Sequence, residues 1–176
     1  MSERLVYRQV TAATLDDFHR LVQDDHVRRY LMDDELLTRE WSEQRVRDSA
    51  GLFERCGVGL WLAHQRETGD VVGFCGFLDV PPMRPQPQLV YAMFERFTGQ
   101  GYATEMARTS IVEARRHSGF STIAASVDEA NLVSVRVLEK LGFRRTARHP
   151  GAFGDVLVLV LEASYVDQPI LSSHSR

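Results

Sequence analysis

Apolar and polar positions alternate over residues 4–10 (RLVYRQV), which predicts an opening strand, and Thr14 ahead of LDDFHRLVQ predicts a capped first helix. Helical turns are expected over 26–32 and again over 38–56. The second of these, TREWSEQRVRDSAGLFERC, is strongly charged, with Trp41, Val46 and Phe53 as its apolar contacts, and reads as a surface helix. The runs GVGLWLAHQ (57–65) and VVGFCGFLDV (71–80), separated by RETGD, predict a β-hairpin with a glycine-containing turn. Pro81, Pro82, Pro85 and Pro87 mark a loop too short to be a domain linker. A strand is expected at 88–94, then a helix at 103–117 with Ala103, Ala107, Ile111 and Ala114 on one face. Arg115, Arg116 and His117 suit the negative pole of that helix, and Gly119 follows its end. A strand at 120–127, a helix at 131–141 stopping at Gly142-Phe143, and strands near 143–149 and 153–162 complete the pattern. In the 131–141 helix, Val133, Val137 and Leu141 step by four and predict its buried stripe. No internal repeat is apparent.

Composition narrows the class. The 176 residues are 44% hydrophobic and 26% charged, with 12 Gly and 6 Pro, which implies one domain with a core that needs neither disulfides nor metals. The longest aliphatic run, 156–161, is far short of the roughly 20 residues that cross a bilayer, so no membrane partner is expected. The opening MSERLVYRQV lacks the apolar stretch of a secretory signal, and the expected location is the cytoplasm. Cys56 and Cys75 fit a reducing compartment; with no second CxxC or His pair at ligand spacing they make neither a disulfide framework nor a metal site. The net charge of −3 does not advertise a nucleic acid or other polyanion over the whole surface, so a nucleotide-like ligand needs a local site.

Arg96-Phe97-Thr98-Gly99-Gln100-Gly101-Tyr102-Ala103-Thr104 leaves a strand and enters a helix. Two glycines let the backbone approach a ligand closely, and a helix start offers unpaired N–H groups at its positive end. No Asp or Glu occurs between Phe97 and Thr104, which favours an anion there. Thr104 occupies the third small position of a dinucleotide fingerprint, and no Gly-Lys-Ser/Thr occurs in the chain, so neither a Rossmann nor a Walker loop fits. In the second segment, Asn131-Leu-Val-Ser134-Val-Arg136-Val-Leu138-Glu-Lys140-Leu-Gly142-Phe143, Asn131 and Ser134 share a neighbouring face. An Asn131 N-cap and a Schellman stop at Gly142-Phe143 would explain the same ends structurally.

Taken together, GQGYATE (99–105), NLVSVRVLEKLGF (131–143) and LWLAHQRETGDVVGFCGF (60–77) resemble the GNAT acetyltransferases, most of all the branch of the ribosomal-protein N-terminal acetyltransferases RimJ and RimL. The resemblance implies an α/β (α+β) GNAT fold over residues 1–163 with a C-terminal tail at 164–176. Its mixed, strongly twisted sheet has six to seven strands, flanked by helices and splayed between strands 4 and 5. It further implies transfer of an acetyl group from acetyl-CoA to a primary amine by direct attack on the thioester, without a metal, in a monomer or homodimer. A GNAT-fold acyl-CoA-binding or regulatory module with little turnover is the alternative.

On this resemblance the backbone of Thr98, Gly99, Gln100, Gly101, Tyr102, Ala103 and Thr104 would hold the pyrophosphate. The family's Gln/Arg-x-x-Gly-x-Gly/Ala pattern is laid down with Gly101 and Ala103 at the small positions and Thr98 in place of Gln or Arg; Arg96-x-x-Gly99-x-Gly101 is the other register. Arg136 and Lys140 are candidates for the remaining phosphates or else a solvated helix face. Tyr91, Ala92 and Met93 would pair their backbone with the pantetheine arm, and an N–H near Met93 would polarise the thioester carbonyl. Ser134 and Asn131 are the implied catalytic residues: Ser134 as donor to the departing sulfur, where many members use a Tyr at the position of Leu138, and Asn131 binding the pantetheine amide or orienting the thiol. Gln88 stands where relatives often place a basic Glu and cannot accept a proton in that way. The acceptor pocket is expected from the first helices, the proline loop and the final hairpin, with Asp24, Asp25, Asp33, Asp34 and Glu35 as an acidic cluster nearby.

Overall fold

The computed structural model describes residues 2–31, 34–79, 87–151 and 154–162. Seven strands form one sheet in the order β1-β2-β3-β4-β5-β7-β6, with β1 at Leu5–Gln9, β2 at Leu60–Gln65, β3 at Val71–Leu78, β4 at Gln88–Met93, β5 at Thr122–Asp128, β6 at Arg144–Gly151 and β7 at Gly154–Glu162. The helices are α1 (Leu15–Val22), α2 (Asp25–Leu31), α3 (Arg39–Cys56), α4 (Tyr102–His117) and α5 (Leu132–Lys140). This mixed sheet with flanking helices is the GNAT fold that the sequence predicts.

All neighbouring strands run antiparallel except β4 and β5, which are parallel and share one register pair, Gln88↔Ala124. The buried side chain of Gln88 fastens this junction, its Oε1 accepting a 2.6 Å bond from Ser126 Oγ. Beyond it the two strands diverge. The division continues into the core. One apolar cluster gathers Phe18, Leu21, Leu62, Phe74 and Met106; the other gathers Ile111, Ile123, Val135, Leu138 and Leu159. Tyr91, on β4, packs against both.

Several local expectations are corrected. Thr14 closes a short 3-10 turn, Ala12–Thr14, and its Oγ1 accepts from Thr11 N at 2.9 Å, so its hydroxyl is engaged behind α1 instead of capping it. In α3 the most deeply buried line is Ser42, Ser49 and Leu52, because the hydroxyls have internal partners: Ser42 with His19 Nδ1 at 2.8 Å and Ser49 accepting from Leu60 N at 2.8 Å. Trp41 and Val46 pack partly against the core, and Phe53 meets Trp61 edge-on at 5.2 Å.

The buried stripe of α5 is Val135 and Leu138 with Leu141 beyond its end, whereas Val133 is 70% exposed. Apolar residues at 132, 133, 135, 137 and 138 permit more than one phase, and docking on β5 and β7 selects the one that turns 132 and 133 outward. The two ends match the sequence: Asn131 Oδ1 accepts from Ser134 N at 3.1 Å, and Phe143 N donates to Leu138 O at 3.1 Å with Gly142 at φ +93, a Schellman stop.

Candidate active site

Divergence of β4 from β5 leaves backbone groups of β4 without a strand partner on that side. Phe94 N donates to Val72 O at 3.1 Å on the β3 side. Antiparallel strands alternate the direction of their N–H groups, so those of Met93 and Tyr91 point the other way, into the split. The space there is a cleft of about 460 Å³ whose wall includes Tyr91, Ala92, Met93, Ser126, Asn131, Ser134 and the base residue Leu138. Among its described lining residues there is no Asp, Glu, Lys or Arg, and His26 is the one imidazole. Leu132 and Val133, left exposed by α5, and Tyr30 and Leu31 of α2 also face it, which accounts for four of the large apolar side chains outside the core.

The loop entering α4 closes one end of the cleft. Phe97 and Tyr102 are both buried and meet edge-on at 6.0 Å, pinning the arch between them. Gly99 (φ +72) and Gly101 (φ +83) turn that arch in the left-handed region, where a side chain costs roughly 1 kcal/mol or more. The first helical bond runs from Glu105 N to Gly101 O at 3.2 Å, so the N–H groups of Tyr102, Ala103 and Thr104 precede it and have no acceptor within the helix. Thr98, Gly99, Gly101, Tyr102, Ala103 and Thr104 all line the cleft. Gln100 does not; its Nε2 donates to Arg96 O at 3.0 Å. Arg96 lies over the rings of Phe94 and Phe97 at 4.8 Å and is also absent from the lining.

Behind the loop is a second cavity of about 540 Å³, lined by residues that include Arg4, Gly101, Thr104, Arg108 and Lys140. Gly101 and Thr104 line both spaces, so the two adjoin at the arch; the second holds three cations, Arg4, Arg108 and Lys140, against two carboxylates, Glu3 and the Arg4-paired Glu105. Arg136 is exposed and lines neither. Arg4 and Arg108 escape the sequence reading for different reasons. Arg108 follows Thr104 by one helical turn, a spacing that would have found it. Arg4 arrives from β1, and nothing local announces it: its Nη1 donates to Gln100 O at 2.9 Å and its guanidinium covers the Tyr102 ring at 4.3 Å.

Arg4 also bridges Glu105 at 2.7 Å, offsetting the one acid in the first turn of α4. Burial alone would raise the Glu105 carboxyl, but the Ser2 hydroxyl, the Arg4 N–H and the Arg4 charge outweigh it and hold it below the usual carboxylate value. A depressed carboxyl stabilises the fold above its unfolded pKa of about 4.3 and loses that contribution as pH falls through the lower folded value. Glu105→Gln is therefore expected to reduce stability at pH 7 and to show a smaller deficit at pH 3. Denaturant midpoints at the two pH values check this; an equal deficit at both would contradict it.

In the cleft the Tyr91 hydroxyl lies 2.8 Å from Ser134 Oγ, where either oxygen can be the donor, and 3.3 Å from Ser134 O. Burial pushes the Tyr91 phenol up to about 12, against a smaller lowering by Ser134. Elsewhere, burial pushes the Cys75 thiol up to about 12, and Ser110 only partly offsets that. Cys75 is thus a poor nucleophile. It is expected to resist a thiol reagent at pH 8 until denaturant is added; reaction at the rate of a free thiol in the folded protein would refute this.

The carboxylates near the site have other engagements. Asp24 Oδ1 accepts from His26 N at 3.1 Å and Val27 N at 3.3 Å, Asp25 pairs with Arg28 at 2.5 Å, and Glu129 pairs with Arg148 at 2.5 Å. Neither Glu95, Asp128 nor Glu129 lines the cleft. Asp33, residues 81–86 of the proline loop and the 164–176 tail lie outside the described residues.

The acetyltransferase (GNAT) domain model matches residues 4–144, and the chain belongs to the GNAT family. It is 34% identical to the protein YkkB of Bacillus subtilis over 131 residues, covering 71% of this chain and 72% of that one, and 24% identical to the N-acetyltransferase YoaA of the same organism over 82% and 81% of the two chains. Among solved structures, the acetyltransferase from Agrobacterium tumefaciens superposes with a TM-score of 0.77 at 20% identity, covering 92% of each chain. RimL, the ribosomal L7/L12 alpha-N-protein acetyltransferase solved with coenzyme A, superposes with a TM-score of 0.76 at 18% identity, covering 92% of this chain and 95% of that one. Among the described residues no helix is long and apolar enough to cross a membrane.

Proposed function

We propose that this acetyltransferase takes its acetyl group from acetyl-CoA and delivers it to a primary amine, at a protein or peptide N-terminus or on a small molecule, in the manner of the RimJ/RimL-like branch and in the cytoplasm. The observation that carries the reading is the pair of spaces that adjoin at Gly101 and Thr104: an uncharged cleft along an open strand edge, and a cavity in which Arg4, Arg108 and Lys140 outnumber the carboxylates Glu3 and Glu105. Acetyl-CoA has the same sequence of properties, a thioester on a neutral amide-containing arm that ends in phosphates.

The arm lies along β4 as an added strand, bonding to the backbone of Tyr91, Ala92 and Met93. The phosphates meet the N–H groups of the 98–104 arch and the positive end of α4. Lys140 belongs to this phosphate site, and Arg136 keeps the solvated face of α5. With the thioester at the split, the Met93 N–H faces the oxygen that becomes negative in the tetrahedral intermediate. One such donor is worth roughly 3 to 4 kcal/mol. The amine nitrogen attacks the carbonyl carbon, the C–S bond breaks, and the departing sulfur accepts a hydrogen bond from Ser134 before it is protonated. Asn131 holds Ser134 in place through its N-cap bond and keeps its amide N–H₂ for the arm. His26 is the one imidazole among the described lining residues, and its ring nitrogen, with water, is the group there that can receive the amine's proton.

Calorimetric titration with acetyl-CoA tests the first half, and no binding at millimolar ligand would refute it. Release of free CoA on presenting peptide N-termini, aminoglycosides and simple amines tests the second.

A further inference from the structure

Ser134 has one proton, and a hydroxyl in the first turn of a helix has several directions in which to send it. Resting on the reading above, we propose that Tyr91 is a positioning residue for Ser134: its phenol donates to Ser134 and leaves the serine's own proton directed into the cleft, toward the sulfur of bound CoA. The two hydroxyls are 2.8 Å apart and the same phenol lies 3.3 Å from Ser134 O, so Tyr91 is within donor reach of Ser134 Oγ, and both residues line the cleft. Tyr91 has little freedom to leave, because it packs against both apolar clusters. It also remains protonated, and so a donor, throughout the range in which a thiol of pKa near 8.5 titrates. The Tyr that many relatives carry is Leu138 here, buried at the base of the same cleft, so a phenol from β4 reaches the region that α5 leaves apolar.

The opposite arrangement has Tyr91 donating to Ser134 O and accepting the serine's proton, which would withhold that proton from sulfur. The two differ in sign on removal of the phenol hydroxyl. The measurable quantity is the ionisation of the thiol of CoA bound to the full-length protein, followed below pH 10 by thiolate absorbance near 240 nm against the ligand-free protein. Other groups that titrate or carry charge around Tyr91 are Cys75 opposite it on β3, Asp128 on β5, Arg136, Glu139 and Lys140 on α5, Tyr102 on α4, and His26 and Tyr30 on α2. All are common to parent and variant.

In the parent, the bound thiol is expected to ionise below free CoA. Tyr91→Phe should raise its pKa by about one unit, a tenfold loss of thiolate at fixed pH. Ser134→Ala should raise it equally, and the double variant no further. An unchanged or lowered thiol pKa in Tyr91→Phe overturns the inference while leaving acetyl-CoA binding intact; failure of CoA to bind the parent overturns the underlying reading instead. Should Tyr91→Phe not fold, Tyr91→Met removes the hydroxyl while filling the buried space, and the same shift is expected.

Discussion

Gly101→Glu is expected to abolish CoA binding in a calorimetric titration, whereas Gly101→Gln should retain measurable affinity. Both variants place a side chain of the same size at φ +83, so both carry the same backbone strain, roughly 1 to 2 kcal/mol of stability. A Cβ at this exposed position finds one neighbour within 4 Å, the Arg4 guanidinium at 3.6 Å, so neither substitution meets the core. What differs is the charge. A carboxylate about 4 Å from a phosphate costs about 1 kcal/mol in water and about 4 kcal/mol at the effective dielectric of a protein surface, and it also competes for Arg4. The glutamate should therefore lose at least tenfold more affinity than the glutamine. Equal affinities would remove the phosphates from this loop.

The second large effect is expected in turnover. Once an accepting amine is in hand, Ser134→Ala should lower kcat by about 100-fold, the scale associated with loss of one donor to developing charge, while KM for acetyl-CoA moves little. The N-cap bond of α5 uses the Ser134 backbone N–H and survives the change, so thermal stability should shift only slightly. A rise in KM with kcat preserved would make Ser134 a binding residue and relieve it of any part in the departure of sulfur.

What the sequence reveals, and what it conceals, follows from the range of the interactions involved. The arch at 98–104 is legible because its determinants are local: glycines where φ must be positive, and a run without acids ahead of a helix. Strands β2, β3 and β7 are legible because their apolar runs are bounded by turns, and even the junction residue Gln88 stands out, although only the fold shows its amide holding Ser126 where a base was sought. The face of α5 is ambiguous because valines at 133, 135 and 137 suit either phase, and the choice belongs to the sheet beneath. Arg4 is invisible for a related reason: its partners Gln100 and Glu105 are about a hundred residues away, and no spacing rule spans that distance. The side chain of Tyr91 is hidden differently. A strand reading assigns it a backbone role, and its hydroxyl acquires a partner only when α5 is set across the split.

The divergence of β4 and β5 gives this sheet a third margin in addition to β1 and β6. Unpaired strand margins ordinarily recruit strands from other molecules, and proteins blunt them with charges, prolines or short length. This margin carries no charge and no proline among its described residues that line the cleft. It is sheltered by position, beneath Tyr30 and Leu31 on one side and Leu132 and Val133 on the other. A second polypeptide would have to bring its side chains past those walls, while a slender unbranched chain need not. Placing the open margin in the interior of the sheet thus admits a cosubstrate and discourages aggregation by the same geometry.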